Sequence, residues 1–160
     1  MSLELKINSV PIKLGGILDT EALDRANFKK AGPLRKLFNR QPLGQTLYRA
    51  ENCKLECFDE EFCIYPCTHG YLNRDRQWET RAAVYLEEGK VLKLEYQVVD
   101  GKYAASNFLA RFQEACSAVL GNPVESSRFV TRWTNDIAMV TSILHPDKVN
   151  AQFLMELQES

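Results

Sequence analysis

The stretch between residues 81 and 120 constrains the fold of this chain more than any other. Apolar Ala82, Val84 and Leu86 alternate with Arg81, Ala83 and Glu87, and apolar and polar residues alternate over residues 92–98. A period of two is typical of strands that bury one face and expose the other. Between the two runs lies Gly89, which accepts the positive φ that a short hairpin loop requires. The stretch therefore predicts an antiparallel hairpin.

The same stretch continues into a predicted helix. After a break at residues 100–101, apolar side chains recur at helical spacing between Phe108 and Leu120 and form a single stripe. Phe112 lies in the middle of this stripe, and Cys116 is also on it. An amphipathic helix that follows a half-exposed hairpin can cover the apolar face of the sheet. We therefore expect Phe112 and Cys116 to be core residues.

The two ends of this helix carry their own signals. Ser106 or Asn107 is placed to cap its start, because both side chains accept hydrogen bonds from backbone N–H groups. Gly121 follows the apolar stripe and is itself followed by Pro123, an arrangement in which a left-handed glycine ends many helices. We therefore predict a positive φ at Gly121.

Strand and helix patterns fill the rest of the chain. Strand patterns are found at residues 3–7, 45–72, 129–133 and 137–144, and helix patterns at residues 19–30, at 34–38 and after Pro146. The predicted order is strand, broken helix, four strands, helix, two strands, helix. This order predicts a single α+β domain over residues 1–160, with an antiparallel sheet of about five to seven strands and helices packed mainly on one face.

Two local signals refine these elements. Asp19 or Thr20 is placed to cap the first helix, whose inward residues would include Leu23 and Ala26. The pair at residues 135–136, Asn-Asp, is a good two-residue turn because both residue types tolerate positive φ.

The predicted order of elements resembles that of the small α+β folds of type III secretion chaperones and related binding modules. The resemblance lies in the order of strands and helices, and no sequence motif carries it. It implies a protein that works by binding another protein.

Composition and charge narrow the classes of partner and the compartment. The formal net charge of −1 argues against general attraction to nucleic acid or to an anionic membrane. No apolar run has the length of a membrane span, and residues 1–6 lack the features of a signal peptide. Five cysteines are an odd and dilute set for a secreted scaffold, so we expect reduced thiols and a cytoplasmic protein.

Four of the cysteines are clustered. Cys53, Cys57, Cys63 and Cys67 are spaced C-x3-C-x5-C-x3-C, and His69 follows them. This set would supply the ligands of a metal-binding protein or the thiols of a redox protein. The other interpretation is that these are plain structural thiols, and we expect them to be reduced and without metal or other cofactor.

The register of a hairpin decides between these interpretations. A turn at residues 59–61 would place Cys57 opposite Cys63 and Cys53 opposite Cys67. The two pairs would then lie roughly 13 Å apart along the strands. One zinc ion holds sulfur at about 2.3 Å, so it could not gather all four thiols in a regular hairpin.

Basic and aromatic residues are the remaining candidates for a binding surface. Residues 24–40 are rich in lysine and arginine, including Arg35, Lys36 and Arg40, and would suit RNA, a phosphorylated partner or an acidic protein. The alternative is a solvated helix face. Trp78 and Trp133 would serve as contact residues for a protein partner if their rings were exposed, and as core residues otherwise.

The sequence carries no catalytic motif. It has no Gly-rich phosphate loop, no G-x-S-x-G and no H-E-x-x-H, so we do not expect an enzyme. The leading hypothesis is a non-enzymatic adaptor or chaperone-like module that binds a protein partner, or a second copy of itself, through a sheet face or edge. The alternative is the thiol-based metal or redox protein. A third idea is a small enzyme or ligand binder with a cleft between the sheet and the broken helix.

Overall fold

A computed structural model describes the protein over residues 4–31, 45–51, 53–57, 60–62, 79–99, 102–146 and 150–158. Over these ranges the chain forms twelve strands and two helices, and every strand pairing is antiparallel. The architecture is therefore broadly α+β, as the sequence predicts.

The elements follow one another in this order: β1 (Glu4–Ile7), β2 (Val10–Lys13), α1 (Thr20–Arg25), β3 (Lys29–Lys30), β4 (Gln45–Glu51), β5 (Leu55–Cys57), β6 (Glu60–Phe62), β7 (Glu79–Glu87), β8 (Lys90–Val99), α2 (Lys102–Leu120), β9 (Glu125–Ser126), β10 (Val130–Thr134), β11 (Ala138–Leu144) and β12 (Ala151–Leu157). A four-stranded sheet has the order β2-β1-β5-β6, and an eight-stranded sheet has the order β3-β4-β7-β8-β12-β11-β10-β9. The expected single sheet of five to seven strands is thus replaced by two sheets.

The central hairpin is confirmed. Strands β7 and β8 pair directly, and the alternation of apolar residues places Val84 and Leu94 opposite each other on a buried face. The connection between them turns at Glu88 and Gly89, whose φ values are 51° and 81°. Two successive positive φ values match the right-handed twist of the flanking strands, which explains the glycine at the second position.

Helix α2 is longer at its start than predicted. It begins at Lys102, so neither Ser106 nor Asn107 caps it. Residues 104 and 105 are both alanine, which has the highest intrinsic helix propensity, and this favours continuing the helix toward its N-terminus. The end of the helix is as predicted, because α2 stops at Leu120 and Gly121 has a φ of 85°.

An aromatic stack at the centre of the core joins α2 to the larger sheet. The fully buried ring of Phe112 stacks on Phe153 of β12, with 4.4 Å between centroids, and meets Trp133 of β10 edge to face at 6.4 Å. Phe153 also stacks on Tyr96 of β8 at 5.9 Å. Phe112 and Cys116 are both buried, which confirms the expectation that they are core residues.

The last element is a strand, and the prediction of a helix after Pro146 is wrong. Helical spacing of Phe153, Leu154 and Leu157 coexists with an alternation of Ala151, Phe153, Met155 and Leu157, and short apolar segments fit both periods. In the fold this segment lies between β8 and β11 and pairs with both along its length. Pairing with distant strands therefore decides that this segment is a strand. The observed element order lacks the final helix of the predicted order, from which the resemblance to secretion chaperones was taken.

The first helix is capped as predicted but ends earlier. The Asp19 carboxylate accepts a hydrogen bond of 2.8 Å from a backbone N–H of the first turn, and both Leu23 and Ala26 are buried. The helix ends at Arg25 rather than near Lys30. Asn27 takes a φ of 65°, which is incompatible with a continuing helix, and redirects the chain into β3.

The turn between β10 and β11 differs in kind from the expected one. Asn135 and Asp136 have no positive φ, and the connection has three residues. The Asn135 side-chain oxygen accepts hydrogen bonds of 2.8 Å from the backbone N–H groups of Ile137 and Ala138. Asparagine is thus used here for its side-chain acceptor, as in an Asx-turn. Strand β11 lies between β10 and β12, the central position that its apolar faces predict.

Truncation of Phe112 tests the aromatic stack. We expect Phe112→Ala to lower the free energy of unfolding by about 3–5 kcal/mol, because it removes a fully buried ring that contacts two others. Phe129→Ala, which truncates a half-buried ring, is the matched control and should cost much less. Urea unfolding measures both, and equal losses would show that the stack has no special role.

Substitution of Gly121 tests the end of α2. A Cβ at this position would meet no atom within 4 Å, so the cost of Gly121→Ala comes from the positive φ alone. We expect a loss of roughly 1 kcal/mol in the free energy of unfolding. Gly121→Asn should cost less, because asparagine tolerates the left-handed region better than alanine. Equal stability of the glycine and alanine proteins would refute the capping role.

Candidate functional site

The eight-stranded sheet has one buried face and one partly exposed face. Side chains such as Val84, Leu94 and Phe153 point to the buried face, where Phe112 of α2 packs. Because successive residues of a strand point to opposite sides, their neighbours in sequence form the other face. We call this second surface the open face.

The strand register arranges the open face in three rows that cross β4, β7, β8, β12, β11 and β10 in that order. The first row is Leu47, Tyr85, Lys93, Glu156, Met139 and Thr134; the middle row is Arg49, Ala83, Glu95, Leu154, Thr141 and Arg132; the third row is Glu51, Arg81, Gln97, Gln152, Ile143 and Val130. The half of the open face on β4, β7 and β8 is rich in charged side chains, and the half on β12, β11 and β10 carries more apolar ones.

A small residue lies at the centre of the charged half. Ala83 exposes only 9% of its surface and is surrounded by Arg81 and Tyr85 along its own strand and by Arg49 and Glu95 on the strands beside it. Long side chains around a methyl group leave a depression between them. We call the four surrounding residues the charged ring.

The depression widens into a groove of about 910 Å³. The groove is lined by residues of β3, β4, β7 and β8 and by the turn after α1. Among the described residues, its charged side chains are the four cations Lys29, Lys30, Arg49 and Arg81 and the two carboxylates Glu51 and Glu95. Cations therefore outnumber carboxylates in the groove, although the whole chain has a net charge of −1.

Tyr85 contacts two charged side chains at the charged ring. The Tyr85 hydroxyl donates to Glu95 Oε2 at 3.3 Å, and the Lys93 ammonium lies 5.0 Å from the centre of the Tyr85 ring. Burial raises the pKa of Tyr85 to about 12, with a further rise from Glu95 and an opposing effect of Arg49. Within the part of the chain that the structure describes, no hydrogen bond or ion pair reaches the half-buried Arg49 guanidinium.

The other half of the open face also has a small buried residue at its centre, but the side chains around it are apolar. Thr141 is buried in the middle row, and Met139 and Ile143 flank it along β11 while Leu154 lies beside it on β12. Met139, Ile143, Leu154 and the neighbouring Val130 are all half-buried, and we call these four residues the apolar patch. At its border Arg132 forms an ion pair with Glu125.

Three of the four described sheet edges are poor sites for strand addition. The outer strands of the larger sheet, β3 and β9, have two residues each, and those of β3 are the exposed pair Lys29 and Lys30. Strand β2, at one edge of the smaller sheet, contains Pro11. Short edges, lysine and proline all discourage pairing of these three strands with another chain.

Trp133 belongs to the core. It exposes 1% of its surface, and its indole N–H donates to Ser117 Oγ at 3.1 Å. The hypothesis that it contacts a partner required an exposed ring, and this ring has no surface to offer. A tryptophan with a satisfied N–H and an edge-to-face contact with Phe112 is typical of a packing residue.

Several candidates from the sequence lie outside the described residues. These are Trp78, the basic residues Arg35, Lys36 and Arg40 with the predicted helix at residues 34–38, and the possible metal ligands Cys63, Cys67 and His69. Lys29 and Lys30 come from the same basic stretch as Arg35, and they border the groove.

The hairpin register expected for the cysteines is wrong. Strands β5 and β6 pair with Cys57 opposite Glu60 and Leu55 opposite Phe62, so the partner of Cys57 is Glu60 rather than the predicted Cys63. This register differs from the predicted one by an odd number of residues, and such a shift changes which side chains share a face.

Cys53 is a buried anchor between the sheets. Its backbone N–H donates to Thr80 Oγ1 at 2.7 Å, and its carbonyl accepts from the Tyr96 hydroxyl at 2.8 Å. Burial is the main cause that raises the pKa of its thiol to about 12. A thiol must lose its proton to bind a metal or act as a nucleophile, so Cys53 is poorly placed for either role. Cys116, also reduced, is buried in the core as predicted.

The residues of the charged ring were missed by the sequence interpretation. Glu95 and Ala83 were assigned correctly to the exposed side of the hairpin, but nothing marked them as parts of a site. The signal present in the sequence is a small residue, Ala83, between the large residues Arg81 and Tyr85 on a solvent-facing strand. That pattern indicates a depression only when the neighbouring strands, here β4 and β8, are also known.

Comparison with known proteins finds no relative of this chain. No family model, no curated protein and no solved structure matches the chain. Among the described residues, no helix has the length and apolar character needed to cross a membrane. The same residues bring together no group of three or more histidine, cysteine, aspartate or glutamate side chains suited to a metal ion.

The buried thiol of Cys53 makes stability depend on alkaline pH. In the unfolded chain the thiol has a pKa near 9.0, and in the fold it has a pKa of about 12. Above pH 9 the unfolded state has therefore lost a proton that the folded state keeps, so stability falls as pH rises. Between pH 8 and pH 10 we expect the wild type to lose roughly 1 kcal/mol more than Cys53→Ala.

Urea unfolding of both proteins at the two pH values measures this difference. Tyrosine and lysine ionisation contributes equally to both proteins and cancels in the comparison. Parallel pH dependence of the two proteins would mean that the Cys53 thiol is accessible to water in the fold.

Proposed function

We propose that this protein is a non-enzymatic binding module, of an adaptor or chaperone-like kind, that receives a partner protein on the open face of its eight-stranded sheet. The observation that carries the proposal is the apolar patch, which lies beside the charged ring on a face opposite the one that Phe112 of α2 covers.

The chemistry of the open face suits a protein partner. Interfaces between proteins combine an apolar centre with charged and polar residues around it. Here Met139, Ile143 and Leu154 supply apolar side chains, and Arg132 and Glu156 lie beside them in the same rows. All five side chains are half-buried, so they are held by their neighbours while still presenting surface.

The properties of Cys53 support this function over a thiol-based one. A metal or redox site built on the clustered cysteines would need Cys53 as a thiolate, and its burial favours the protonated form. The open face requires no covalent chemistry, and its side chains are placed by strand register alone.

Substitution in the apolar patch tests the proposal. Ile143→Lys places a charge within the apolar patch, and its neighbours across the strands, Gln152 and Val130, carry no charge that would repel the lysine. Val124→Lys is the matched control, because Val124 is 65% exposed and lies outside the open face. We expect Ile143→Lys to reduce partner binding at least about ten-fold and Val124→Lys to leave it unchanged.

The measurement is quantitative capture from an extract of the native host, with both variants first shown to melt at the wild-type temperature. Sedimentation of the purified proteins runs in parallel, because a second copy of the chain would also fit the patch. Equal recovery of every bound protein by the two variants, with no change in self-association, would contradict the proposed function.

A further inference from the structure

We infer that the groove at the charged ring receives a carboxylate side chain from an acidic, extended segment of the partner protein, with Arg49 as the receiving group. The inference rests on the proposed function and adds the chemistry of the partner. It concerns the half of the open face that the apolar patch does not occupy.

Charge complementarity is the first argument. The described lining of the groove has four cations and two carboxylates, so it has an excess of positive charge within a chain that is slightly negative overall. The guanidinium of Arg49 is half-buried, and no hydrogen bond or ion pair reaches it from the described residues. A guanidinium presents two parallel N–H groups to a carboxylate, which makes a strong and directional pair.

The acceptors in the groove identify the ligand as a polypeptide. Glu51 and Gln97, and Glu95 beside its hydrogen bond from Tyr85, offer oxygen atoms as acceptors. A peptide supplies its backbone N–H groups as donors and its acidic side chains as acceptors, so it matches both kinds of group. A nucleic acid would bring one phosphate per nucleotide, and Glu51 and Glu95 would repel this charge.

The dimensions of the groove agree with an extended segment. The groove crosses β3, β4, β7 and β8, and three spacings between neighbouring strands amount to roughly 14 Å. An extended chain covers that distance with about four residues. Ala83 at the floor leaves room for one side chain to descend between Arg49 and Glu95.

The test uses a fluorescent peptide of about eight residues in which glutamate and alanine alternate, so that it is longer than the groove. Fluorescence anisotropy measures its Kd for the full chain, with a peptide carrying glutamine in place of glutamate as the comparison. We expect the glutamate peptide to bind at least about ten-fold more tightly, and to bind less tightly as ionic strength rises.

Variants locate the binding. Arg49→Gln should raise the Kd for the glutamate peptide at least about ten-fold, because it removes a charge-assisted pair. Arg49→Lys should restore part of the loss, since it returns the charge without the paired N–H groups. Arg128→Gln is the control, because it removes the same charge from an exposed position outside the open face. Ala83→Val fills the floor without changing charge, and it should also weaken binding.

Defined results would overturn the inference. These are equal binding of the glutamate and glutamine peptides, equal effects of Arg49→Gln and Arg128→Gln, tighter binding of a single-stranded RNA of similar length, and full competition by free glutarate at the same concentration as the peptide. None of them bears on the capture test with Ile143→Lys, so failure here would leave the proposed function standing on its own experiment.

Discussion

The contact between Phe112 and Phe153 is the interaction on which the rest of the structure depends. With 4.4 Å between ring centroids, it fixes which face of β12 points into the core beneath α2. Since side chains alternate along a strand, this choice turns Gln152 and Leu154 to the opposite side. The same stack that stabilises the core therefore sets the composition of the open face.

Two small side chains make the surface of the open face uneven. Ala83 and Thr141 are both in the middle row and both buried, and larger residues surround each of them. The surroundings differ because the strands differ: β4, β7 and β8 bring arginine, tyrosine and glutamate, whereas β11 and β12 bring methionine, isoleucine and leucine. Strand order thus separates a charged half from an apolar half. Glu95 and Leu154, paired between β8 and β12, mark the boundary.

The sequence predicted the elements whose signals are local. The β7–β8 hairpin, the end of α2 at Gly121 and the cap at Asp19 each depend on a few adjacent residues, and all three are confirmed. The cysteine register was wrong because the symmetric cysteine spacing does not decide how β5 pairs with β6. The last helix was wrong because that segment pairs with β8 and β11, which are formed by other parts of the chain. The charged ring was beyond prediction for the same reason: Arg49 and Glu95 meet around Ala83 only once β4, β7 and β8 lie side by side.

Under the proposed function, the two halves of the open face contribute to binding in different ways. Exposed charges contribute little free energy, but they steer association and disfavour wrong partners. Apolar side chains such as Leu154 contribute free energy in proportion to the area they bury, with little directional preference. A partner that engages the apolar patch alone could bind in several registers along the sheet. One that also places a carboxylate at Arg49 is held in a single register, because the middle row fixes the distance between the two contacts.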